Sequence, residues 1–280
     1  MEYIKNLQEF GFNTNNSVYI IAEIGINHNG SVDVAKRLID SVSRTGADAV
    51  KFQTYITEKR VSKSSPIYDI LKKCELPFEA FAELKEYASK LSLDFFSTPF
   101  DIESVDFLQS LHCDLYKIAS FDVINHQLLN KIASTHKPVI MSVGMATMDE
   151  IKKAYSILEL GTDNIAILHC ISSYPTNEAD AHLADIFKLK YEFDCIIGQS
   201  DHTNDIVVPI YAVAAGAQII EKHYKIDENM ECVDGPVSIT ENQMKKLVSD
   251  IRLLEKILGK EEFGVREAEI NAIDYRRYSK

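Results

Sequence analysis

The chain has 280 residues, of which 46% are hydrophobic and 26% are charged, a composition typical of a folded globular protein. Its 42 acidic and 30 basic residues give a formal net charge of −12 at pH 7, which excludes a broadly basic nucleic-acid-binding surface. No run of about 18 apolar residues is present, so we expect no membrane-spanning helix. The five cysteines contain no CxxC pair and several lie in or beside apolar runs, which predicts reduced thiols and a cytoplasmic protein.

Residues 1–17 are polar and rich in asparagine, and we predict a short lead-in or a hairpin that closes the bottom of a barrel. From Val18 onward, short apolar runs alternate with segments of helical spacing. Near-continuous apolar runs are typical of parallel strands that are buried on both faces. Eight runs occur, at 18–24, 47–53, 93–97, 114–119, 138–142, 165–170, 195–199 and 217–222.

Capping residues mark several of the predicted helices. Thr147 with Glu150, and Thr240 with Gln243, have the spacing of a capping box at a helix start. Asp101 is placed to cap the helix that follows the third apolar run.

Eight predicted strands alternate with eight predicted helices, and no Gly- or Pro-rich linker interrupts them. This order predicts one α/β domain over residues 18–280, a single (β/α)8 TIM barrel. Segment 54–77 is the one long insertion, and we expect a loop there that shapes access to the catalytic face.

The polar residues at the strand ends form the most informative pattern. A parallel barrel gathers the carboxyl ends of its strands around one mouth, where ligands bind. Taken alone, a lysine there is usually solvated and a histidine is usually a hydrogen-bonded core residue. Burying the whole set is costly unless the side chains bind something. The eight ends supply Glu23; Lys51 and Gln53; Ser97 and Thr98; Lys117 and Ser120; Ser142; His169; Ser200 and His202; and Glu221 and His223.

Two cations in this set suit an anionic substrate, and one carboxylate suits acid–base chemistry beside it. Lys51 and Lys117 lie on separate strands and, with the neighbouring hydroxyls, suit the oxygens of a phosphate or a carboxylate. Glu23 is a candidate general base or a ligand of water.

Two histidines suit a metal ion. His202 and His223 lie one βα unit apart, so they end neighbouring strands and could share Mn, Fe, Co or Zn. Asp201 and Glu221 are candidate acceptors that orient the two imidazoles. A divalent metal beside an anion site fits the polarisation of a carbonyl while a phosphorylated partner reacts with it.

Eight motifs in order resemble those of the N-acetylneuraminate (sialic acid) synthase family, which includes legionaminic and pseudaminic acid synthases and spore-coat polysaccharide synthases. The motifs are EIGINHNG (23–30), KFQT (51–54), STPF (97–100), YKIAS (116–120), SVGM (142–145), HC and YP within 169–175, GQSDHT (198–203) and EKHY (221–224). The resemblance implies a metal-dependent condensation of phosphoenolpyruvate with an N-acetylated hexose, which gives a nine-carbon 2-keto acid and phosphate.

The resemblance also implies roles for individual residues. The catalytic residues are Glu23, Lys51, Lys117, Asp122 and Glu221. The substrate-binding residues are Gln53, Thr98, Ser120, Ser142, Ser172, Tyr174, Ser200 and Asp234. His202 and His223 are the implied ligands of a divalent metal, with Mn as the first choice and Mg, Co or Zn as alternatives.

Three positions depart from the family pattern. Ser172 replaces a common asparagine, Asp122 replaces a glutamate, and Val237 replaces an aspartate that binds sugar hydroxyls. Asp234 is an alternative for that last role. The departures concern the sugar, whereas the implied phosphoenolpyruvate and metal residues are all present.

The family normally continues into an antifreeze-like C-terminal domain that supplies an arginine to the partner subunit's substrates, and this sequence ends at Lys280. The resemblance therefore implies a homodimer, or a separate antifreeze-like domain, as partner. Arg60 is an alternative source of the arginine, although a solvated loop arginine is the simpler interpretation.

We predict a synthase that makes a sialic-acid-like nonulosonic acid from phosphoenolpyruvate and N-acetylmannosamine or a related sugar. One alternative is a non-catalytic or split-enzyme barrel that binds ligands, or acts as a scaffold, in a surface-glycan pathway. A further alternative is an aldol enzyme that uses a phosphorylated sugar, which would need a second basic patch built from Lys59, Arg60 and Lys63.

Overall fold

The computed structural model describes residues 18–259 and 263–277, so the predicted lead-in over 1–17 lies outside the described residues. Eight parallel strands pair in sequence order and close into a barrel, which confirms the predicted TIM barrel. The strands are β1 (Tyr19–Gly25), β2 (Ala49–Thr54), β3 (Asp94–Pro99), β4 (Tyr116–Ile118), β5 (Val139–Ser142), β6 (Ile165–Cys170), β7 (Ile196–Asp201) and β8 (Ile219–His223).

Helices follow every strand and cover the outside of the barrel. In the described part of the chain they are α1 (Val32–Ser43), α2 (Thr57–Arg60), α3 (Tyr68–Cys74), α4 (Phe78–Lys90), α5 (Ile102–Ser110), α6 (His126–Ala133), α7 (Met148–Leu158), α8 (Ala184–Glu192), α9 (Val207–Ala214) and α10 (Glu241–Leu258). No described helix is both long enough and apolar enough to cross a membrane.

The predicted helix starts are confirmed. Thr147 and Thr240 both form complete capping boxes, at the starts of α7 and α10. The Asp101 carboxylate accepts a hydrogen bond from the Ser104 backbone N–H at 2.7 Å and so caps α5.

Segment 54–77 is more ordered than a simple loop, because it contains α2 and α3. Leu71 and Cys74 of α3 are buried against Ile26 and Tyr55. These apolar contacts hold the insertion against the β1 and β2 side of the barrel mouth.

Side-chain alternation along the strands explains how the site is assembled. The barrel interior is filled by Tyr19, Ile21, Ala49, Phe96, Leu115, Ile140, Ala166, Leu168, Ile196 and Ile219. Successive side chains point to opposite faces of a strand, so the residue two positions further on also points inward. Two positions beyond the last inner apolar residue lie Glu23, Lys51, Thr98, Lys117, Ser142, Cys170 and Glu221. The strands therefore change from apolar to polar at one level of the barrel.

Candidate active site

Two lysines and two glutamates form a buried ionic network at this level. The Lys51 ammonium lies 2.8 Å from Glu23 Oε1 and 3.8 Å from Glu221 Oε2. The Lys117 ammonium lies 3.4 Å from Glu221 Oε1. All four side chains are almost fully buried, so Glu221 joins two cations that would otherwise repel each other at close range.

Burial and mutual contact shift the pKa values within this network. Burial raises the pKa of Glu23 to about 7, opposed by Lys51 and reinforced by the Glu221 carboxylate. Burial also disfavours the Glu221 carboxylate, but Lys117 and Lys51 outweigh it and lower the pKa of Glu221. Burial lowers the pKa of Lys117. Burial also disfavours the Lys51 cation, but the Glu221 and Glu23 carboxylates outweigh it and raise the pKa of Lys51. Glu221 is thus the permanent counter-ion, and Glu23 is the carboxyl group that exchanges a proton near neutral pH.

Hydroxyl groups complete the walls of the network. Lys51 donates a hydrogen bond to Thr98 Oγ1 at 3.1 Å, and Lys117 donates to Ser142 Oγ at 2.7 Å. Ser200 Oγ donates to Glu221 Oε1 at 3.0 Å. These hydroxyls and ammonium groups can all donate to the oxygens of an anionic ligand.

Ser120 and Ser172 converge beside Gly144. The Gly144 backbone N–H donates to Ser120 Oγ at 2.9 Å. A Cβ at position 144 would lie 2.4 Å from Ser172 Oγ and 3.1 Å from Ser120 Oγ, so only glycine leaves room for both hydroxyls. The SVGM motif therefore brings the loops after β4 and β6 together.

The two histidines predicted as metal ligands face one another at the rim. Their ring centroids are 5.3 Å apart, and the Tyr174 ring lies 4.1 Å from that of His202. His202 Nδ1 lies 2.9 Å from the Ile171 carbonyl, which as its acceptor leaves Nε2 with a free lone pair. His223 Nδ1 lies 3.5 Å from Asp234 Oδ2.

The protonation of the two imidazoles differs. Burial, with the nearby charges of His202 and Lys51, holds the pKa of His223 well below its usual value, so this ring is neutral. Burial also disfavours the His202 cation, but the Cys170 sulfur, 3.6 Å from Nδ1 and able to accept its proton, outweighs this and raises the pKa of His202. A metal ion at this position would bind the neutral form of both rings.

Three buried polar atoms in the site have no hydrogen-bond partner in the described part of the protein. They are Glu23 Oε2, Glu221 Oε2 and His223 Nδ1. Such atoms are rare in folded proteins because each one loses its hydration without compensation. Their concentration at one mouth is the physical signature of a site that a ligand completes.

The two imidazoles are the side chains at the rim that could hold a metal ion. No cluster of three or more His, Cys, Asp or Glu side chains in the described ranges has metal-binding geometry. Two neighbouring imidazoles, one neutral and with an unpartnered nitrogen, do fit a transition metal whose other ligands are oxygens from substrate or water.

Asp201 and His169, two further polar residues at strand ends, do not point into the site. Asp201 was expected to orient an imidazole, but it points to the outer face of β7 and binds Lys222 and Thr203 instead. His202 is oriented by the Ile171 carbonyl. His169 is a core residue whose Nε2 lies 2.7 Å from the Ala181 carbonyl, which matches the simpler interpretation of a strand-end histidine.

The predicted sugar-side residues lie around the rim. Gln53 Nε2 lies 3.4 Å from Glu23 Oε1. Asp122 accepts a hydrogen bond from Asn125, and burial raises its pKa although the charge of Arg60 opposes this. Burial likewise raises the pKa of Asp234, with His202 as the main opposing charge.

Asn27 is a structural residue that the motif analysis did not single out. Its side chain donates to the Tyr224 carbonyl and Ser238 Oγ, both at 2.9 Å, and accepts from the Asp234 backbone N–H at 2.9 Å. Asn27 thus holds the loop that presents Asp234, and its place in a polar loop directly after β1 was the available signal.

The second basic patch is not formed. Lys59 pairs with Glu103 at 2.9 Å on the surface, and Lys63 is exposed. Arg60 instead turns inward and donates to Gln53 Oε1 at 3.0 Å, so the interpretation of Arg60 as a solvated loop arginine is wrong.

Comparisons with known proteins agree with this architecture. A model of the NeuB family matches residues 38–263. The chain is 38% identical over 266 residues to the N,N'-diacetyllegionaminic acid synthase of Campylobacter jejuni, which covers 89% of this chain and 79% of the relative. It is 37% identical over 258 residues to the pseudaminic acid synthase of Helicobacter pylori, with 87% and 76% covered.

Solved structures give the same result. The N-acetylneuraminic acid synthetase of Leptospira borgpetersenii, crystallised with citrate, superposes with a TM-score of 0.91 at 39% identity. The match covers 95% of this chain and 93% of that one.

Proposed function

The chain belongs to the NeuB family, and on that premise we propose that it is a metal-dependent synthase that condenses phosphoenolpyruvate with N-acetylmannosamine or a related N-acylated hexose. The products are a sialic-acid-like nonulosonic acid and phosphate. Family membership makes the chain a condensing transferase, and the acceptor sugar and the metal are the proposed part.

One observation carries the proposal: the Lys51–Glu23 and Lys117–Glu221 pairs lie at the same barrel mouth as the facing His202 and His223 rings. The two ammonium groups, with the hydroxyls of Thr98, Ser142 and Ser200, suit the carboxylate and phosphate of phosphoenolpyruvate. Ser120 and Ser172 extend the same wall.

The carbon chemistry follows from this placement. C3 of phosphoenolpyruvate bonds to the aldehyde carbon of the open-chain sugar, and the aldehyde oxygen takes up a proton. Positive charge then develops at C2, beside the Glu23 and Glu221 carboxylates, which stabilise it. Water adds to C2 as Glu23 accepts its proton, and the C–O bond to phosphate breaks to leave the 2-keto acid.

His202 and His223 would hold a divalent metal, which we propose to be Mn²⁺ with Mg²⁺, Co²⁺ or Zn²⁺ as alternatives. When bound, the metal supplies a Lewis acid for the aldehyde oxygen. Gln53, Asp122, Tyr174 and Asp234 line the rim, where they can bind the acceptor's hydroxyl and amide groups.

Phosphate release tests the proposal. Purified protein with Mn²⁺ and phosphoenolpyruvate is expected to release phosphate with at least one N-acylated hexose, and chelation is expected to stop it. His202→Ala should lower turnover by more than about 1,000-fold, because removal of one imidazole removes the metal. His136→Ala, which changes an exposed histidine at the opposite end of the barrel, is the matched control.

Circular dichroism must show that both variants are folded. Phosphate release with no sugar of the panel by folded, metal-loaded protein would overturn the proposed function. Binding of phosphoenolpyruvate without any turnover would favour the alternative of a ligand-binding or split-enzyme barrel.

A further inference from the structure

Arg60 is held firmly at the rim of the mouth. Its guanidinium carbon lies 3.6 Å from the centroid of the Phe100 ring and 4.7 Å from that of Tyr55. The Tyr55 hydroxyl is itself fixed by a 2.9 Å hydrogen bond to the Leu71 carbonyl. The insertion, β2 and β3 therefore fix the guanidinium before any ligand binds, which lowers the entropy cost of using it.

The guanidinium still has capacity to bind. Within residues 18–259 and 263–277, Arg60 makes one hydrogen bond and two ring contacts and forms no ion pair. A guanidinium presents several N–H donors in a planar fork, so most of them are without a protein acceptor. Arg60 is half-buried, and none of its nitrogens is among the described side-chain atoms that are both buried and without a hydrogen-bond partner. Its remaining N–H groups are therefore open to water, and a ligand can accept from them in place of water.

The position of Arg60 indicates that it binds the acceptor sugar and not phosphoenolpyruvate. Arg60 donates to Gln53, and Gln53 in turn lies beside Glu23, the partner of Lys51. Two side chains thus separate Arg60 from the nearer lysine of the anion site. The charges of Asp122 and Asp234, two residues of the predicted sugar side, also act on Arg60.

These charges indicate what kind of group Arg60 can take. The guanidinium lies within range of the negative charges of Asp122 and Asp234, and its neighbour Lys59 is neutralised by Glu103. A phosphate dianion would be repelled by the carboxylates and would lack a second cation. An uncharged carbonyl oxygen accepts from the guanidinium without that repulsion, and its amide N–H can donate to a carboxylate.

We infer that Arg60 determines specificity for the acceptor sugar by donating hydrogen bonds to the carbonyl oxygen of its N-acyl group. The inference rests on the proposed function and deepens it. Arg60 selects an acylated and unphosphorylated acceptor, and it also keeps the Gln53 amide oriented with its NH₂ group towards Glu23.

The experiment compares substrates rather than activity alone. Phosphate release is measured at saturating phosphoenolpyruvate with the most active N-acylated hexose, the same sugar as a free amine, and N-acetylmannosamine 6-phosphate. Where the amine is not turned over, its inhibition constant against the acylated sugar replaces KM. The proteins are wild type, Arg60→Leu, Arg60→Lys and the control Lys59→Leu.

Arg60→Leu is expected to raise KM for the acylated sugar by about 10- to 100-fold, the loss of a charged hydrogen bond. KM for phosphoenolpyruvate, and KM or the inhibition constant for the free-amine sugar, should change less than about threefold. Phosphoenolpyruvate binds away from Arg60, and the free-amine sugar has no N-acyl carbonyl to accept from it. Arg60→Lys should recover part of the loss, and Lys59→Leu should match wild type.

Equal losses for the acylated and free-amine sugars, or a loss confined to phosphoenolpyruvate, would overturn the inference and make Arg60 a structural support of Gln53. A wild-type preference for the phosphorylated sugar that disappears in Arg60→Leu would assign Arg60 to phosphate instead. A wild type inactive with every sugar would refute the proposed function itself, which is a separate outcome.

Discussion

Two buried groups of lysines and carboxylates lie on opposite faces of the same strands, and they differ in how completely they are satisfied. On the outer face, the fully buried Lys222 ammonium lies 2.6 Å from Asp201 Oδ2 and also donates to the Thr203 carbonyl. Asp201 accepts further hydrogen bonds from Gln199 at 3.1 Å and from the Thr203 hydroxyl at 2.7 Å.

The inner group consists of Glu23, Lys51, Lys117 and Glu221, and the ion pairs made by Glu221 are longer than the Lys222–Asp201 pair. Glu221 lies 3.4 Å from Lys117 and 3.8 Å from Lys51, and one oxygen of Glu221 and one of Glu23 have no hydrogen-bond partner among the described residues. Both groups bury ions at a similar cost of desolvation. In the outer group every charged atom has a partner, and only the uncharged Gln199 Oε1 has none among the described residues. In the inner group it is carboxylate oxygens that have none, so part of the cost is left to be recovered by a ligand.

The difference separates a structural ion pair from a binding site without reference to any relative. It predicts that mutations on the two faces have different consequences. Loss of an outer charge should appear as lost stability, and loss of an inner charge should appear mainly as lost affinity.

The largest expected effect is on the outer face. Lys222→Met should lower the free energy of unfolding by about 3–5 kcal/mol, because Asp201 is left buried without its cation. Urea unfolding followed by circular dichroism measures it. Lys117→Met, on the inner face, should cost clearly less stability, because Glu221 keeps Lys51 and Ser200 as partners.

The double variant Asp201→Leu/Lys222→Met provides the control, because it removes the unpaired charge. It should recover a large part of the lost stability, although the two hydrogen bonds that Thr203 donates to the Asp201 carboxylate remain missing. Equal destabilisation by the inner and outer lysine substitutions would contradict the comparison.

A second prediction concerns affinity on the inner face. Lys51→Ala and Lys117→Ala should each weaken phosphoenolpyruvate binding by about 1.5–3 kcal/mol, the size of a hydrogen bond from a charged donor. Titration calorimetry without sugar measures this directly. Lys246→Ala, which removes an exposed lysine of α10, is the matched control.

Unchanged affinity in both inner variants would show that the two ammonium groups do not form the anion site. A loss in only one variant would assign the anion to that lysine and leave the other as a counter-ion of Glu221.

Much of this arrangement could be predicted from sequence, because strand alternation is a local rule. Apolar runs that end in Glu23, Lys51, Lys117 and Glu221 place these side chains on the inner face once the strands are parallel. The same rule puts Asp201, which follows Ser200, on the outer face. The expectation that Asp201 would orient an imidazole is wrong for this reason, since its side chain binds Lys222 and Thr203 on the outer face.

Arg60 could not be placed by such a rule. Its direction depends on the ring of Phe100, which directly follows β3, and on how α2 and α3 pack over the mouth, contacts that are distant in sequence. The metal, the roles of the individual site residues and the predicted homodimer or separate antifreeze-like domain all stay predictions.

The smallest expected effect is a proton linkage in the inner group. Glu23 has a pKa of about 7 in the free protein, and an anion bound at Lys51 adds negative charge beside it. That charge raises the pKa of Glu23 in the complex, so the complex binds protons more tightly than the free protein does. Affinity for phosphoenolpyruvate should therefore fall as pH rises above about 7, by less than about tenfold per pH unit.

Calorimetry in two buffers with different heats of ionisation at pH 7.5, with a chelator present, should detect uptake of a fraction of a proton per phosphoenolpyruvate bound. The phosphate group itself ionises near pH 6 and so contributes little at this pH. Glu23→Gln keeps the shape of the side chain and should abolish the uptake. Uptake that persists in Glu23→Gln would assign the proton to another group, with His202 as the first candidate because its pKa is also raised. The outer face offers a negative control in Asp201→Asn, which lies outside the anion site and should leave the uptake unchanged in protein that is still folded.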